Sequence, residues 1–516
     1  MALAALGSEG PDRWARFHSK TSCHVVTVSW FRNLVRLEGI FSSTPRSRQA
    51  SEGILSHAAR QISRKKESGI ALMAKYLITL MLVCASLSVH GSSSYGASLG
   101  DERQDSQNSS PESVNAVVQW NKTLLGIVRT PGAQSATVHP TRSFAVMHAA
   151  IYDAVNAIDR THKPYLVGLT AVSHFASEDA AAASAAHEVL VALYPSFQTL
   201  LDAQLQQSLA SIQDGQNKAD GIAIGKAVAD QILALRSNDG SNAPPVPFVF
   251  GNAPGDYQST PPNFPKQPQF THWSHVTPFA LERANQFRPG PPPALTSDTY
   301  SDVFNELKSL GIANSTSATP DQALTGRFWN GAIQNYWNEI TQTAALGHDL
   351  TTAQSARVFA LLNLTFADGV IAFYDAKYTY NFWRPVTAIR EAATDGNPET
   401  LPDPNWLPEV GNTTPDPAYP GAHAVISAAG ASVLISFFGQ DHFDFAVTSE
   451  VLAGVDRSFK SFSAADREAT LSRIFAGVHF RSDLTAGQTL GRKVADFVLD
   501  NFLTPVHGRN DSDNDR

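Results

Sequence analysis

The sequence predicts an all-α protein built of helical bundles in two helical halves. Three observations carry that expectation. Apolar residues recur at steps of three and four along most of the chain from Val114 onward. Alternating apolar and polar runs of the strand type are nearly absent. Between the two helical regions lies a stretch rich in Pro, Gly and Asn, residues 242–293, with Pro244-Pro245, Pro261-Pro262 and Pro291-Pro292-Pro293, which no continuous helix can accommodate.

Residues 1–72 carry eleven Lys or Arg against five Asp or Glu, whereas the remainder of the chain has a net charge of −14. Met73 opens a different pattern. Met73-Ala-Lys75 is followed by the uncharged, mostly apolar stretch 76–89 and then by small residues from Gly91 to Ser94. A charged start, an apolar middle and a small-residue exit describe a secretory signal peptide. Translation is therefore expected to begin at Met73, with 1–72 a start-site artefact or an unstructured extension, 73–91 the signal peptide and 92–113 a disordered lead-in. The mature protein is expected to be secreted or periplasmic. This stretch of fourteen residues is too short to span a bilayer, which takes ~20, so no stable membrane span is expected after signal removal. Cys23 and Cys84 both precede the expected mature chain, which would then lack any disulfide, thiolate nucleophile or Cys-ligated metal.

The body of the chain reads as a folded protein, with 43% apolar and 17% charged residues overall, and its acidity gives no support for nucleic-acid binding. The N-terminal helical half, with its Pro-rich connector, is placed at 114–295. Its apolar faces include Ala145, Ala149, Tyr152, Val155 and Ile158, then Leu200, Leu201, Leu205, Leu209 and Ile212, then Ile224, Val228, Ile232 and Leu235. The C-terminal bundle is placed at 296–505, before a disordered tail at 506–516. There Thr351 is expected to cap a long helix running towards Lys377, limited by Pro385. A helix from Pro420 to Gly439 follows, then one opened by Ser463 and Asp466 as a capping box, then a last one capped by Ser482.

Three basic and histidine-bearing stretches in this bundle carry the chemistry. The first runs from Lys377 through Arg384 to Pro385; the second is Pro420-Gly421-Ala422-His423; the third runs from Ser472-Arg473 through His479 to Asp483. Lys377 and Arg384 are two helical turns apart, so they share a face if the helix continues, or converge from a helix end if the chain unwinds before Pro385. Gly421, Ala422 and His423 fall in a helix first turn, where free N–H groups and the dipole favour an anion. His423 adds a titratable proton at the rim. Arg473 adds a bidentate donor, and Asp483, four residues beyond His479, can hold one ring nitrogen and leave the other as ligand or nucleophile. Fixed positive charge with N–H donors on several sides suits a tetrahedral or trigonal-bipyramidal oxyanion. The oxyanion site is thus expected in the C-terminal bundle.

The order Lys-x6-Arg-Pro, then a stretch close to Pro-Ser-Gly-His, then Ser-Arg-x5-His-x3-Asp resembles the vanadium-dependent haloperoxidase and type-2 phosphatidic acid phosphatase superfamily. Resemblance to its bacterial haloperoxidase branch extends to Met147–Asn156, Phe287–Pro291, Arg327–Gly331 and Asp375–Pro385, and covers roughly Val114 to Leu503. It implies that His479 binds vanadate through a ring nitrogen and that Lys377, Arg384 and Arg473 neutralise its oxygens, with Gly421 and Ala422 offering backbone N–H groups. His423 would be the acid–base group. The reaction implied takes hydrogen peroxide and a halide, bromide or chloride, and halogenates a small organic acceptor; the resemblance also permits a homo-oligomer. The family's Pro-Ser-Gly-His reads Pro420-Gly421-Ala422-His423 here, so the serine hydrogen bond is missing. Such a bond to a charged group is worth ~1.5–3 kcal/mol.

Two other readings stand beside this one. A phosphatase on the same scaffold would use His479 as nucleophile, with phosphate rather than vanadate as the oxyanion and His423 protonating the leaving alcohol. A non-catalytic oxyanion-binding protein would need neither histidine nor Asp483. His272 and His275 have a His-x-x-His spacing, but their Pro-rich flanks argue against a zinc helix. Tyr374, one turn before Lys377, reads either as a wall of a halide pocket or as core.

Overall fold

The computed structural model describes residues 115–506 of the 516-residue chain, all within one compact unit. The expectations for 1–72, the signal peptide at 73–91, the lead-in at 92–113 and the tail beyond Val506 lie outside the described residues. The architecture is helical. The N-terminal half contributes α1 (Ala116–Arg129), α2 (Pro140–Asp159), α3 (Glu178–Leu193), α4 (Gln198–Ala210) and α5 (Gln216–Arg236). The C-terminal half contributes α6 (Asp298–Leu310), α7 (Pro320–Phe328), α8 (Ile333–Gly347), α9 (Thr352–Tyr380), α10 (Pro385–Arg390), α11 (Ala422–Phe438), α12 (Phe462–Phe475) and α13 (Arg481–Asn501). One apolar core joins the halves, drawing Ile151 and Val189 together with Phe366, Leu434 and Val494.

Helix α9 is the axis of the molecule. Its start is a capping box, in which Thr351 Oγ1 accepts the Gln354 N–H at 3.2 Å and Gln354 Oε1 accepts the Thr351 N–H at 3.0 Å. Although α9 is long and apolar enough to cross a membrane, almost all of that stretch is buried within the protein, against α2, α11 and α13 among others. It ends at Asn381, which takes the left-handed conformation at φ 47°. Of the two arrangements open to Lys377 and Arg384, the chain therefore adopts the unwound one: Lys377 sits in the last turn of α9, and Arg384 immediately precedes α10.

Close approach of α11 and α13 brings the second and third stretches together. A Cβ on Gly487 would lie 2.6 Å from the Gly421 carbonyl oxygen, and one on Gly491 would lie 2.1 Å from that of Val425. Only glycine permits this spacing. A second, smaller apolar cluster, including Phe382, Trp383, Ile474, Phe480 and Leu484, packs around the same residues and fixes the loops between these helices.

Two irregular segments, the α2–α3 loop and the long connector, are ordered and pinned by carboxylates on helices. Asp153 accepts the backbone N–H groups of Tyr165, Leu166 and Val167 at 2.6, 2.9 and 2.8 Å. Asp368, in the middle of α9, likewise accepts those of Phe279, Ala280 and Leu281 at 2.6–2.7 Å. Further on, Arg288 grips Asp375 of α9 with two bonds of 2.6 and 2.7 Å. Each contact ties an irregular segment with little regular hydrogen bonding of its own to a helix.

Three local expectations are corrected. The helix expected to open at Ser463 begins at Phe462, because the Ser461 hydroxyl accepts the Ala464 N–H at 3.1 Å. The last helix starts at Arg481 without Ser482 as its cap; Asp483 instead reaches back to accept the Phe480 N–H at 3.0 Å. The fold also contains an antiparallel hairpin, β1 (His442–Thr448) and β2 (Asp456–Ser461), with Phe445 paired to Phe459. Phe445, Val447 and Phe459 turn inward, and the hairpin packs against α8 and α12.

Asp368→Asn places an amide where three backbone donors need acceptors, and should lower folding stability by ~3 kcal/mol. Denaturant unfolding of the variant beside the unmodified protein measures this.

Candidate functional site

The three stretches meet. His479 lies in the short turn between α12 and α13, buried, with Nε2 3.2 Å from Arg384 Nη1 and Nδ1 3.2 Å from Asp483 Oδ2. A guanidinium can only donate, so Nε2 carries the lone pair, and the Nδ1 proton goes to Asp483. Burial, reinforced by Arg384, Lys377, Arg473 and His423 in turn, holds the His479 pKa well below the usual imidazole range. The imidazole is neutral, and its Nε2 electron pair, met by Arg384 Nη1, faces the cationic cluster.

Asp416 is the residue that the sequence reading missed. Its buried carboxylate Oδ1 takes Lys377 Nζ at 3.1 Å and also accepts from Arg384 Nη2, while its backbone carbonyl accepts from Arg384 Nε at 2.7 Å. Gln269 from the connector donates to Oδ2 at 3.0 Å. Burial alone would raise the pKa of this carboxyl, but Lys377 and Arg384, with the Lys377 and Gln269 hydrogen bonds, outweigh it and hold the group ionised. The remaining Lys377 donors go to the carbonyls of Pro417 and Ala418. All three of its donors are thus used, and burial still pushes its pKa down to about 8 against the pull of Asp416. Lys377 acts on a ligand through its charge, with Asp416 as its fixed counter-ion.

Arg473, near the end of α12, is the opposite case. Its Nη2 donates to Asn330 Oδ1 at 3.1 Å, but Nε and Nη1 are buried without a partner. Burial, and then Arg384, lower its pKa. A buried guanidinium with two idle donor atoms is costly unless an anion completes it. The start of α11 points the same way, since no side chain caps its first turn. Here the reading of Gly421 is corrected: its N–H donates to the Asp483 carbonyl at 3.0 Å and is not open to a ligand, which leaves Ala422 to offer the first free N–H. An ideal Cβ on Gly421 would lie 2.9 Å from Leu484 Cδ2, so the absent serine goes with a leucine that crowds its place.

His423, in the first turn of α11 and half-buried, donates from Nε2 to the Trp329 carbonyl at 2.9 Å. Its lone pair is therefore on Nδ1. Burial, with Arg473 as the next cause, keeps its pKa well below the usual range. The Trp329 carbonyl and Asn330 side chain thus give a structural role to a segment that sequence comparison had picked out without assigning one. The hairpin braces that segment: Ser449 Oγ donates to the Phe328 carbonyl at 2.9 Å, and Glu450 accepts the Ala332 N–H at 2.9 Å. Tyr374 is fully buried, its hydroxyl accepting from Gln269 at 3.2 Å, and so supports Asp416 from behind. His272 is apart from the cage, facing the Ser241 carbonyl at 3.3 Å, and among the described residues no cluster of three His, Cys, Asp or Glu could hold a metal ion.

The donor set fits an oxyanion such as vanadate: one imidazole lone pair, idle Arg473 donors, an uncapped helix start, and two cations already fixed in place. Comparison with known proteins agrees. Residues 357–508 match the family model described as the VCPO second helical-bundle domain. The chain is 25% identical over 350 residues to the vanadium chloroperoxidase of Curvularia inaequalis, covering 52% of this chain and 57% of that protein. It thus spans little more than half the length of that relative. The structure of a bacterial vanadium-dependent iodoperoxidase superposes with a TM-score of 0.64 and 27% identity, covering 78% of this chain and all of the other. A bacterial vanadium-dependent chloroperoxidase shares the fold at a TM-score of 0.53 and 16% identity, covering 71% of this chain and 93% of the other. The fold and site define a helical-bundle oxyanion protein. Within that class, the chain is similar to vanadium-dependent haloperoxidases, and the matching family model covers the C-terminal helical bundle.

Two outcomes follow from this geometry. Asp416→Asn leaves two buried cations without their carboxylate and should cost ~3–5 kcal/mol of stability. Thermal unfolding should then show a larger stabilisation by added phosphate or orthovanadate in the variant than in the unmodified protein. Gly421→Ser combined with Leu484→Val restores a hydroxyl and the room for it, and should tighten orthovanadate binding about ten-fold or more by titration calorimetry. Gly421→Ser alone should gain less.

Proposed function

We propose that this chain is an exported haloperoxidase that holds vanadate at His479 and uses hydrogen peroxide to oxidise bromide or chloride, halogenating a small organic acceptor. The observation that carries the reading is the His479 Nε2 lone pair, aimed into a cage where Arg473 keeps two buried donor atoms without a partner. Bound vanadate would supply a Lewis-acid centre on which peroxide is activated. Everything else falls to side chains of this chain. Asp483 holds the Nδ1 proton of His479 and so keeps Nε2 available as a ligand. Arg473 and the first turn of α11 donate to the oxygens, and Lys377 and Arg384 add fixed charge. His423, held by the Trp329 carbonyl, presents Nδ1 as the base that accepts a proton from incoming peroxide.

The names of the relatives, a chloroperoxidase and an iodoperoxidase, support peroxidase chemistry over phosphate-ester hydrolysis. Release outside the cytoplasm rests on the signal-like segment from Met73. Halogenation of a phenol dye should require orthovanadate, peroxide and bromide together, and His479→Ala should lower the rate by about 100-fold or more. Rapid release of phosphate from phosphate esters without any halogenation would instead establish the phosphatase reading. Vanadate binding with neither activity would leave an anion-binding protein.

A further inference from the structure

A cavity of about 620 Å³ opens far from the oxyanion cage, at the junction of the two helical halves. The end of α2, the start of α9 and the end of α11 form its walls. Arg357 on α9 lines it, and twenty residues of the same helix separate Arg357 from Lys377, about 30 Å at the α-helical rise. The volume suits a small organic ligand.

The chemistry of the lining is specific. Arg357 Nε donates to the Leu503 carbonyl at 3.0 Å, but among the described residues the guanidinium forms no ion pair. It lies 5.4 Å over the ring of Phe437, and burial lowers its pKa. A partly desolvated cation beside an aromatic ring, without a counter-ion, is matched by an anion. The nearby wall is aromatic: Phe438 stacks on the His348 imidazole at 4.4 Å between centroids. Asp159 shares the rim, but it is taken by the Thr161 hydroxyl and forms no ion pair with Arg357. His162 is kept from adding a second positive charge, since burial, and then Arg357, lower its pKa.

We propose that this cavity is a second binding site, separate from the oxyanion cage, for an aromatic carboxylate whose ring lies against Phe437 and Phe438 and whose carboxylate pairs with Arg357. The ligand needs one anionic group and one flat apolar body. An inorganic oxyanion would leave the aromatic wall unused, and a neutral arene would leave the guanidinium unpaired.

The test is calorimetric titration of the full chain with 2-naphthoate, with and without saturating orthovanadate. The affinity should be the same in both, and about ten-fold weaker in Arg357→Gln and for the neutral analogue 2-naphthalenemethanol. Leu350→Trp, which fills the cavity from the loop before α9 and leaves the Arg357–Leu503 bond intact, should also abolish binding, and it serves if Arg357→Gln does not fold. Absence of binding up to millimolar 2-naphthoate overturns the proposal. So does loss of binding when orthovanadate is present, or binding that survives unchanged in the substituted proteins.

Discussion

A single buried carboxylate, that of Asp416, sets the terms for the rest of the site. Lys377 and Arg384 are both withdrawn from water at the C-terminal end of α9 and the start of α10. An unpaired cation in such a place costs several kcal/mol, and two side by side also repel one another. Asp416 offsets both penalties by binding the two groups with one carboxylate and one carbonyl. The cations are thus held in position before any ligand arrives. Because their donors are largely consumed, the open valences fall to Arg473, to His479 and to the first turn of α11. Charge is supplied by one set of residues, and directed hydrogen bonds by another.

That division depends on helix packing some distance from the ligand. Glycines 487 and 491 let α13 lie close enough to α11 for the Asp483 carbonyl to take the Gly421 N–H, while the Asp483 side chain takes His479. The same residue therefore orients the imidazole and locks the entrance to α11. The hairpin and the 328–332 segment complete the rim by holding His423 and Arg473 from the other side. Gln269 and Tyr374 connect the connector to Asp416, so even the Pro-rich stretch takes part in holding the cations.

Much of this was legible in the sequence, for physical reasons that differ from residue to residue. The start of α9 at Thr351 and the end of α11 at Gly439 are marked by a capping box and by a left-handed glycine, both strictly local signals. The His479–Asp483 pair follows from a four-residue spacing. Asp416 could not be read, because Thr-Thr-Pro-Asp-Pro looks like any surface turn until the fold drives it under two cations. Ser463 and Ser482 were chosen as caps where Ser461 and Asp483 serve, since several neighbouring polar residues could each do the work and only tertiary packing selects among them. The hairpin escaped for a related reason: its alternation at Phe443, Phe445 and Val447 is real but too short to stand out beside long helical periods. Gly421 was recognised as a departure, but its partner Leu484 belongs to another helix.

The central claim is that the cage receives its oxyanion at His479 without disturbing the Asp416 pairings. A crystal structure of the protein soaked with orthovanadate tests it most directly. The account predicts vanadate bonded to His479 Nε2, with Arg473 Nε or Nη1 and the Ala422 N–H on its oxygens, and Asp416 still paired with Lys377 and Arg384. Vanadate bound elsewhere, or Asp416 displaced so that Lys377 alone grips the anion, would contradict it.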